Sequence, residues 1–237
     1  MYWNLIESAW PFSRETLRGV CQQVFSRQNL ESNLDSLANA FWYARTALFY
    51  KWQFRSLGPR TAIRRPVMLA GKRFISIGEG VHVRDGVRME VLPGGSKRKP
   101  RIVIGAGTRI EEFVRILCRG RVVIGSNVTI NGRCSILDTT EYVEGFTARP
   151  VPFDEAPTDY SFVEIGDDTF IGFGAVIAPN VRIGRACIIG ANSVVTRDVP
   201  DCTIAAGSPA RLLRRYDADL RCWLPVGSEL HDMLQAA

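Results

Sequence analysis

Histidine is nearly missing from this chain: among 237 residues only His82 and His231 occur. A site built on three histidine ligands from one subunit is therefore excluded, and an imidazole general base has two positions to draw on. Cysteine offers little more. Cys21, Cys118, Cys134, Cys187, Cys202 and Cys222 are scattered without a C-x-x-C pair, and the start lacks the charged, apolar and small-residue succession of a cleavable signal peptide. The expectation is a reduced, cytoplasmic protein, with the inner face of a membrane as an alternative address. Long apolar runs are absent too, because Arg45, Lys51 and Arg55 interrupt the most hydrophobic segment. The chain is not expected to cross a bilayer.

With 46% hydrophobic and 23% charged residues in 26.4 kDa, the chain can bury a core and reads as one main domain with appendages. Its net charge of +6 suits anionic partners. The basic residues are nonetheless spread over a loop, an N-terminal helix and a tail, and no nucleic-acid motif accompanies them, so no nucleic-acid partner is expected.

Aliphatic residues recur every six positions at Ile165, Ile171, Ile177, Ile183, Ile189 and Val195. The same spacing runs through Ile77, Val83 and Met89, then Ile104, Ile110 and Ile116, then Ile124, Ile130 and Ile136. Glycine often follows the aliphatic, and four places after it stands a small or β-branched residue such as Thr108, Cys134, Thr169, Ala175 or Cys187. Ordinary strand alternation has period two and reserves no slot for glycine. A six-residue repeat instead predicts a short strand and a sharp bend per unit, three units closing a triangular coil of about eighteen residues. Stacked coils place the aliphatics inside a prism and the small residues at its corners. The architecture expected is an all-β core, a parallel β-helix spanning 61–209, preceded by a helical region at 1–60 and followed by a tail at 210–237.

Three interruptions leave the prism: a basic turn-rich loop at 93–101, two extra residues before Ile124, and an excursion over about 141–162 with Pro150, Pro152 and Pro157. The basic loop reads first as a solvated turn rather than a phosphate site. Ahead of the prism, Leu34, Leu37, Phe41, Ala44, Leu48 and Trp52 trace one face of a helix over 34–57, ending near Gly58-Pro59. That face is expected to pack on the prism or on a neighbouring subunit. Its aromatics, flanked by Arg45, Lys51 and Arg55, leave peripheral membrane contact as the alternative.

The repeats, with Ile189-Gly190-Ala191-Asn192-Ser193-Val194-Val195-Thr196-Arg197-Asp198-Val199-Pro200 and then Ala205-Ala206-Gly207-Ser208-Pro209-Ala210-Arg211, resemble the hexapeptide-repeat acyltransferases. The likeness is to the maltose and galactoside acetyltransferase branch and to the O-acetyltransferases of bacterial surface polysaccharides, over about residues 61–215. The resemblance implies a left-handed β-helix, a homotrimer and acetyl-CoA or another acyl-CoA as co-substrate in a groove between adjacent prisms, with no metal. It implies donor contacts at Ala191, Thr196, Arg197, Arg211 and Arg214, the arginines suiting nucleotide phosphates. Phe173 stands where relatives commonly carry Gly or Ser beside the thioester, and Glu111 and Arg119 stand at acceptor-side positions.

The family's catalytic histidine should fall in Asp138-Thr139-Thr140-Glu141-Tyr142, where none occurs. On the register of the sugar acetyltransferases the position is Glu141, and on that of the polysaccharide branch the candidates are Thr139 and Glu141; Glu141 is taken as the base, with Asp138 to assist or orient it and Glu111 as a third carboxylate of a cluster that would raise the base toward a useful pKa. The function expected is acetyl transfer to a sugar hydroxyl or amine in surface-polysaccharide assembly, the acceptor being a sugar, a sugar nucleotide or a lipid-linked glycan. The alternative is a catalytically degenerate trimer that binds coenzyme A or acts as a scaffold. The zinc-dependent carbonic anhydrase built on the same fold is excluded by the histidine count. His82 reads as a surface or interface residue rather than a substitute base, and Cys134 and Cys187 as packing residues.

Overall fold

A computed structural model describes residues 27–92, 100–139, 143–144, 149–150 and 161–227, with side chains from residue 38 onward except at 143–144 and 149–150. Glu141, Tyr142, Tyr160, His231 and most of the basic loop lie outside the described residues. The chain forms two compact units, Met1–Trp42 and Tyr43–Ala237. Of the first, the described part is the beginning of helix α1, Arg27–Phe49.

The second unit is a prism of short parallel strands on three faces. Face A stacks Ser56–Leu57, Ile75–Ile77, Arg101–Ile104, Arg121–Ile124, Phe162–Ile165 and Val181–Ile183. Face B stacks Ala62–Ile63, His82–Val83, Arg109–Ile110, Thr129–Ile130, Phe170–Ile171, Ile188–Ile189 and Thr203–Gly207. Face C stacks Met68–Ala70, Arg88–Val91, Arg115–Cys118, Ser135–Leu137, Val176–Ile177 and Val194–Val195. Equivalent repeat slots pair directly, as in Ile110 with Ile130, Ile130 with Ile171 and Ile171 with Ile189. Each aliphatic slot is buried, and every such side chain removed from water stabilises the fold by about 1.5–3 kcal/mol.

The corner slots follow from contact between coils. A Cβ on Gly105 would sit 2.4 Å from the Gly125 carbonyl carbon, and one on Gly166 2.5 Å from the Arg185 nitrogen, so stacking at strand spacing admits only glycine there. The small inward slot satisfies its polar atoms across the same gap. Thr108 Oγ1 donates to the Gly125 carbonyl at 2.8 Å, Thr169 Oγ1 to that of Gly184 at 2.9 Å, and Cys134 Sγ to that of Gly172 at 3.1 Å. Burial raises the pKa of the Cys134 and Cys187 thiols, which keeps them protonated packing groups.

The helix differs from expectation in length. It stops at Phe49, and Ser56–Leu57 already belongs to face A, because the Arg55 N–H bonds the Ile75 carbonyl at 3.0 Å and strand pairing overrides the helical pattern. Thr46, Tyr50 and Phe54 face inward: Thr46 Oγ1 accepts the Ile63 N–H at 2.8 Å, Tyr50 packs against the core and Phe54 is buried within it. Of the apolar stripe, Ala44 is exposed, Leu48 74% exposed and Trp52 87% exposed, so these residues do not pack on the prism of their own chain. The prism end needs only a narrow plug, and Thr46 supplies the hydroxyl that the open Ile63 N–H requires.

Beyond the last coil the described residues form a hairpin. Ala210–Asp217 turns back antiparallel on Thr203–Gly207, and Cys222–Pro225 adds a further antiparallel strand. The hairpin thus covers the final edge of face B, where unpaired backbone groups would otherwise stand open.

Candidate active site on two corners of the prism

The residues singled out in the sequence fall on two corners. The corner between faces B and C carries, coil after coil, Glu111-Glu112-Phe113, then Asn131-Gly132-Arg133, Gly172-Phe173-Gly174, Gly190-Ala191-Asn192 and finally Gly207. Backbone bonds tie the column together: the Gly174 N–H donates to the Gly132 carbonyl at 3.0 Å and the Asn192 N–H to that of Phe173 at 2.8 Å. Phe173 is half exposed, its ring lying beside Gly132 and under the Arg133 guanidinium, 5.9 Å from the ring centre. Ala191 is exposed directly beyond it.

Most of the described corner turns hold one residue in the left-handed region. Asn127, Asp168 and Asn192 fill it at φ of 56, 57 and 54°, as their short polar side chains allow. At the B/C corner, Phe113 and Arg133 hold φ of 60°, a conformation unfavourable by about 1 kcal/mol or more for such side chains. Together with Phe173 they bring aromatic and basic groups to this edge, where the turns at 127 and 168 carry Asn and Asp. Sequence reasoning passed over Phe113, Arg133 and Asn131, although Asn131 occupies the repeat slot of Glu111 and the other two stand on the same corner, one place after the slot of Phe173.

The hairpin extends the edge. Arg211 is paired with Ala206 and Arg214 with Ile204, while the register shifts between Ile204 and Ala205. Opposite residues on an antiparallel ladder share a face, and Ile204 and Ala206 are two apart on one strand. The irregularity at Leu213 therefore puts Arg211 and Arg214, three residues apart, on the same outward side of face B. Both are exposed. Gly190-Ala191 and Ala206-Gly207 bring uncovered backbone beside these two cations, which fits an extended thiol ester arm ending in phosphates.

Glu111, expected on the acceptor side, is on the B/C corner, where the Arg84 guanidinium binds it at 2.9 Å and Glu112 at 3.1 Å. Arg84 was not foreseen as a site residue.

The corner between faces C and A holds the other group: Asp138 and Arg119 above, Thr196 and Arg197 below. Asp138 is fully buried, and its carboxylate oxygens accept the backbone N–H groups of Arg119 and Gly120, each at 2.8 Å. The two extra residues before Ile124 thus form a turn clamped by Asp138. Burial raises the Asp138 pKa above the ordinary carboxylate value, against the opposing pull of those N–H donors. The neighbouring Cys118 thiol is pushed up by its own burial and by Asp138. Thr196 and Arg197 are exposed. Within one chain the structure does not bring Glu111 to Asp138, so the three-carboxylate cluster is not assembled there: Glu111 and Asp138 stand at opposite ends of face C.

His82 lies on face B, partly buried, with Nε2 3.4 Å from the Tyr43 hydroxyl. Burial, then Arg109, Arg64 and Arg84, lower its pKa. Among the described residues no group of His, Cys, Asp and Glu is arranged to hold a metal ion.

A coiled prism with six-residue repeats and glycine corners defines the class of hexapeptide transferases, and the model of that family, "Bacterial transferase hexapeptide (six repeats)", matches residues 162–197. The chain is 30% identical over 164 residues to the dTDP-4-amino-4,6-dideoxy-D-glucose acyltransferase of Escherichia coli, a match covering 67% of this chain and 80% of that protein. It is 26% identical over 165 residues to WbbJ of Escherichia coli (strain K12), a provisional lipopolysaccharide biosynthesis O-acetyl transferase, over 68% of this chain and 82% of WbbJ. Among solved structures, AntD, an N-acyltransferase from Bacillus cereus in complex with dTDP and 3-hydroxybutyryl-CoA, superposes with a TM-score of 0.60 at 21% identity, covering 82% of this chain and 96% of AntD. The chain belongs to the hexapeptide-repeat acyltransferases and has their left-handed β-helix.

Proposed function

We propose that this protein transfers an acetyl group from acetyl-CoA to a hydroxyl or amine of a sugar, a sugar nucleotide or a lipid-linked glycan, in the cytoplasm, during assembly of a surface polysaccharide. The observation that carries the proposal is the strip of Phe173, Ala191, Gly207, Arg211 and Arg214, running down one corner and onto the outer side of face B. Bound acyl-CoA would supply the activated acyl group. Ala191 leaves room for the arm to approach, and Arg211 and Arg214 offer planar donors to its phosphates. The 30% identical relative is named for acylating dTDP-4-amino-4,6-dideoxy-D-glucose, which supports an amino-sugar nucleotide as the acceptor class.

Thr196 and Arg197 complete the donor site from the far side of face C. The five residue steps from Ala191 to Thr196 separate the two corners by roughly 15 Å at strand rise, too far for one chain to close both on a single thioester. We infer a homotrimer in which the B/C corner of one protomer meets the C/A corner of the next. Glu141, just beyond the Asp138 clamp, takes the proton of the acceptor. Asp138 is a positioning residue, holding the turn at Arg119-Gly120, and Arg119 and Glu111 shape the acceptor side from their two corners.

A catalytically degenerate, coenzyme A-binding trimer is the second reading. It is favoured by one observation: Asp138 is buried and Glu111 is engaged by Arg84, which leaves Glu141 alone as base. A thermal-shift titration with acetyl-CoA, followed by turnover on amino-sugar nucleotides, separates the two, since a ligand that binds only the native state raises its apparent stability. No shift with any acyl-CoA would sink the enzyme, a shift without turnover would favour the scaffold, and full turnover by Glu141→Gln would remove Glu141 as base.

A further inference from the structure

The N-terminal end of the prism carries a charge and an apolar surface that acyl transfer leaves unused. Between Asp35 and Glu79 the chain has eight lysines and arginines and no acidic residue, more positive charge than the whole protein's net +6. The fold gathers these residues at one end. The turn after α1 is tied to the 3-10 helix Lys72–Phe74, with Lys72 Nζ donating to Gln53 Oε1 at 2.6 Å and the Arg55 N–H to the Lys72 carbonyl at 3.3 Å. Arg60 and Arg65 pair with Glu79 and Asp85, whereas among the described residues no carboxylate pairs with Lys51, Arg55, Lys72 or Arg73.

Beside these cations stand Leu48 at 74%, Phe49 at 65% and Trp52 at 87% exposure. Trp52 and Phe49 protrude because Thr46, Tyr50 and Phe54 have taken the inward positions. An exposed apolar stripe rimmed by cations that have no carboxylate partner among the described residues is an unfavourable surface in water and a favourable one at an anionic lipid interface. There tryptophan settles among headgroups, and each nearby lysine or arginine adds to the attraction.

We propose that this end of the prism docks on a membrane bearing anionic lipids, with Phe49 and Trp52 entering the headgroup layer and Lys51, Arg55, Lys72 and Arg73 meeting the lipid phosphates. Like charge opposes a second copy of the same surface as the occupant. The contact is peripheral, since no described helix is long and apolar enough to cross a membrane.

The test is co-sedimentation of the full-length protein with vesicles of phosphatidylethanolamine and phosphatidylglycerol, against vesicles of phosphatidylcholine alone. Binding to the anionic vesicles only is expected, weakening steeply between about 0.1 and 0.5 M salt. Phe49→Ala with Trp52→Ala, and separately Lys51→Glu with Arg55→Glu and Arg73→Glu, should each lower partitioning about tenfold or more at unchanged melting temperature. No binding to anionic vesicles overturns the proposal, as does binding that neither variant reduces. A change in sedimentation mass in the aromatic variant would assign Phe49 and Trp52 to a subunit interface instead. Displacement by RNA that the aromatic variant binds equally well would assign the cations to nucleic acid, and either result rejects membrane docking.

Discussion

Asp138 illustrates how burial redirects a carboxylate. Its oxygens are consumed by two backbone N–H groups in a site without solvent, so it holds a turn rather than meeting a substrate. Asp138→Ala would leave two buried donors unsatisfied and is expected to lower stability by about 2–3 kcal/mol. The pH dependence follows from the raised pKa. A group whose folded pKa lies above its unfolded value contributes fully below the unfolded value, here near 3.8, and loses that contribution as pH rises through the folded value. The gap in urea-unfolding free energy between wild type and Asp138→Ala should therefore be widest below about pH 4 and narrow above it. A gap that grows with pH would mean that the N–H donors outweigh burial.

Among elements, the C-terminal hairpin shows how a local irregularity arranges a site. Plain alternation would put Arg211 and Arg214 on opposite sides of their strand. The register shift opposite Ile204 and Ala205 brings them together. Each Arg→Ala change is expected to weaken coenzyme A binding about five- to twentyfold by calorimetry, and the pair to weaken it more, with a shallower salt dependence. Equal affinity for dephosphorylated and intact coenzyme A in wild type would refute the phosphate role. The two arginines were legible in sequence as candidates. Their common face was not, because it depends on a pairing register that the residues of one strand do not encode. The side of helix α1 that meets its own prism was not legible for a related reason: periodicity finds an apolar stripe, but what the prism end requires decides which side turns inward, and Thr46 meets that requirement.

For the whole molecule, the separation of the corners carries its own test. A Thr196→Ala, Arg197→Ala protomer lacks one corner, and an Ala191→Trp protomer lacks the other. Trimers refolded from a mixture of the two should recover up to about one third of wild-type activity, since one interface in each mixed ring joins two intact corners. No recovery on mixing, with trimers formed, would place the donor site within a single chain.

The sequence by itself determined the prism. A six-residue period writes the same steric demand into every coil, an aliphatic inside, glycine where the next coil's backbone approaches, a small residue at the bend, and these demands are local enough to read one unit at a time. Only the tertiary structure decided which corner each candidate occupies, that Asp138 is a clamp, that Glu111 belongs to Arg84, and that the apolar side of α1 faces outward. Those outcomes depend on neighbours a full coil or more away, brought together by stacking and by the interruptions between repeats, and a period carries no information about what stands across the gap.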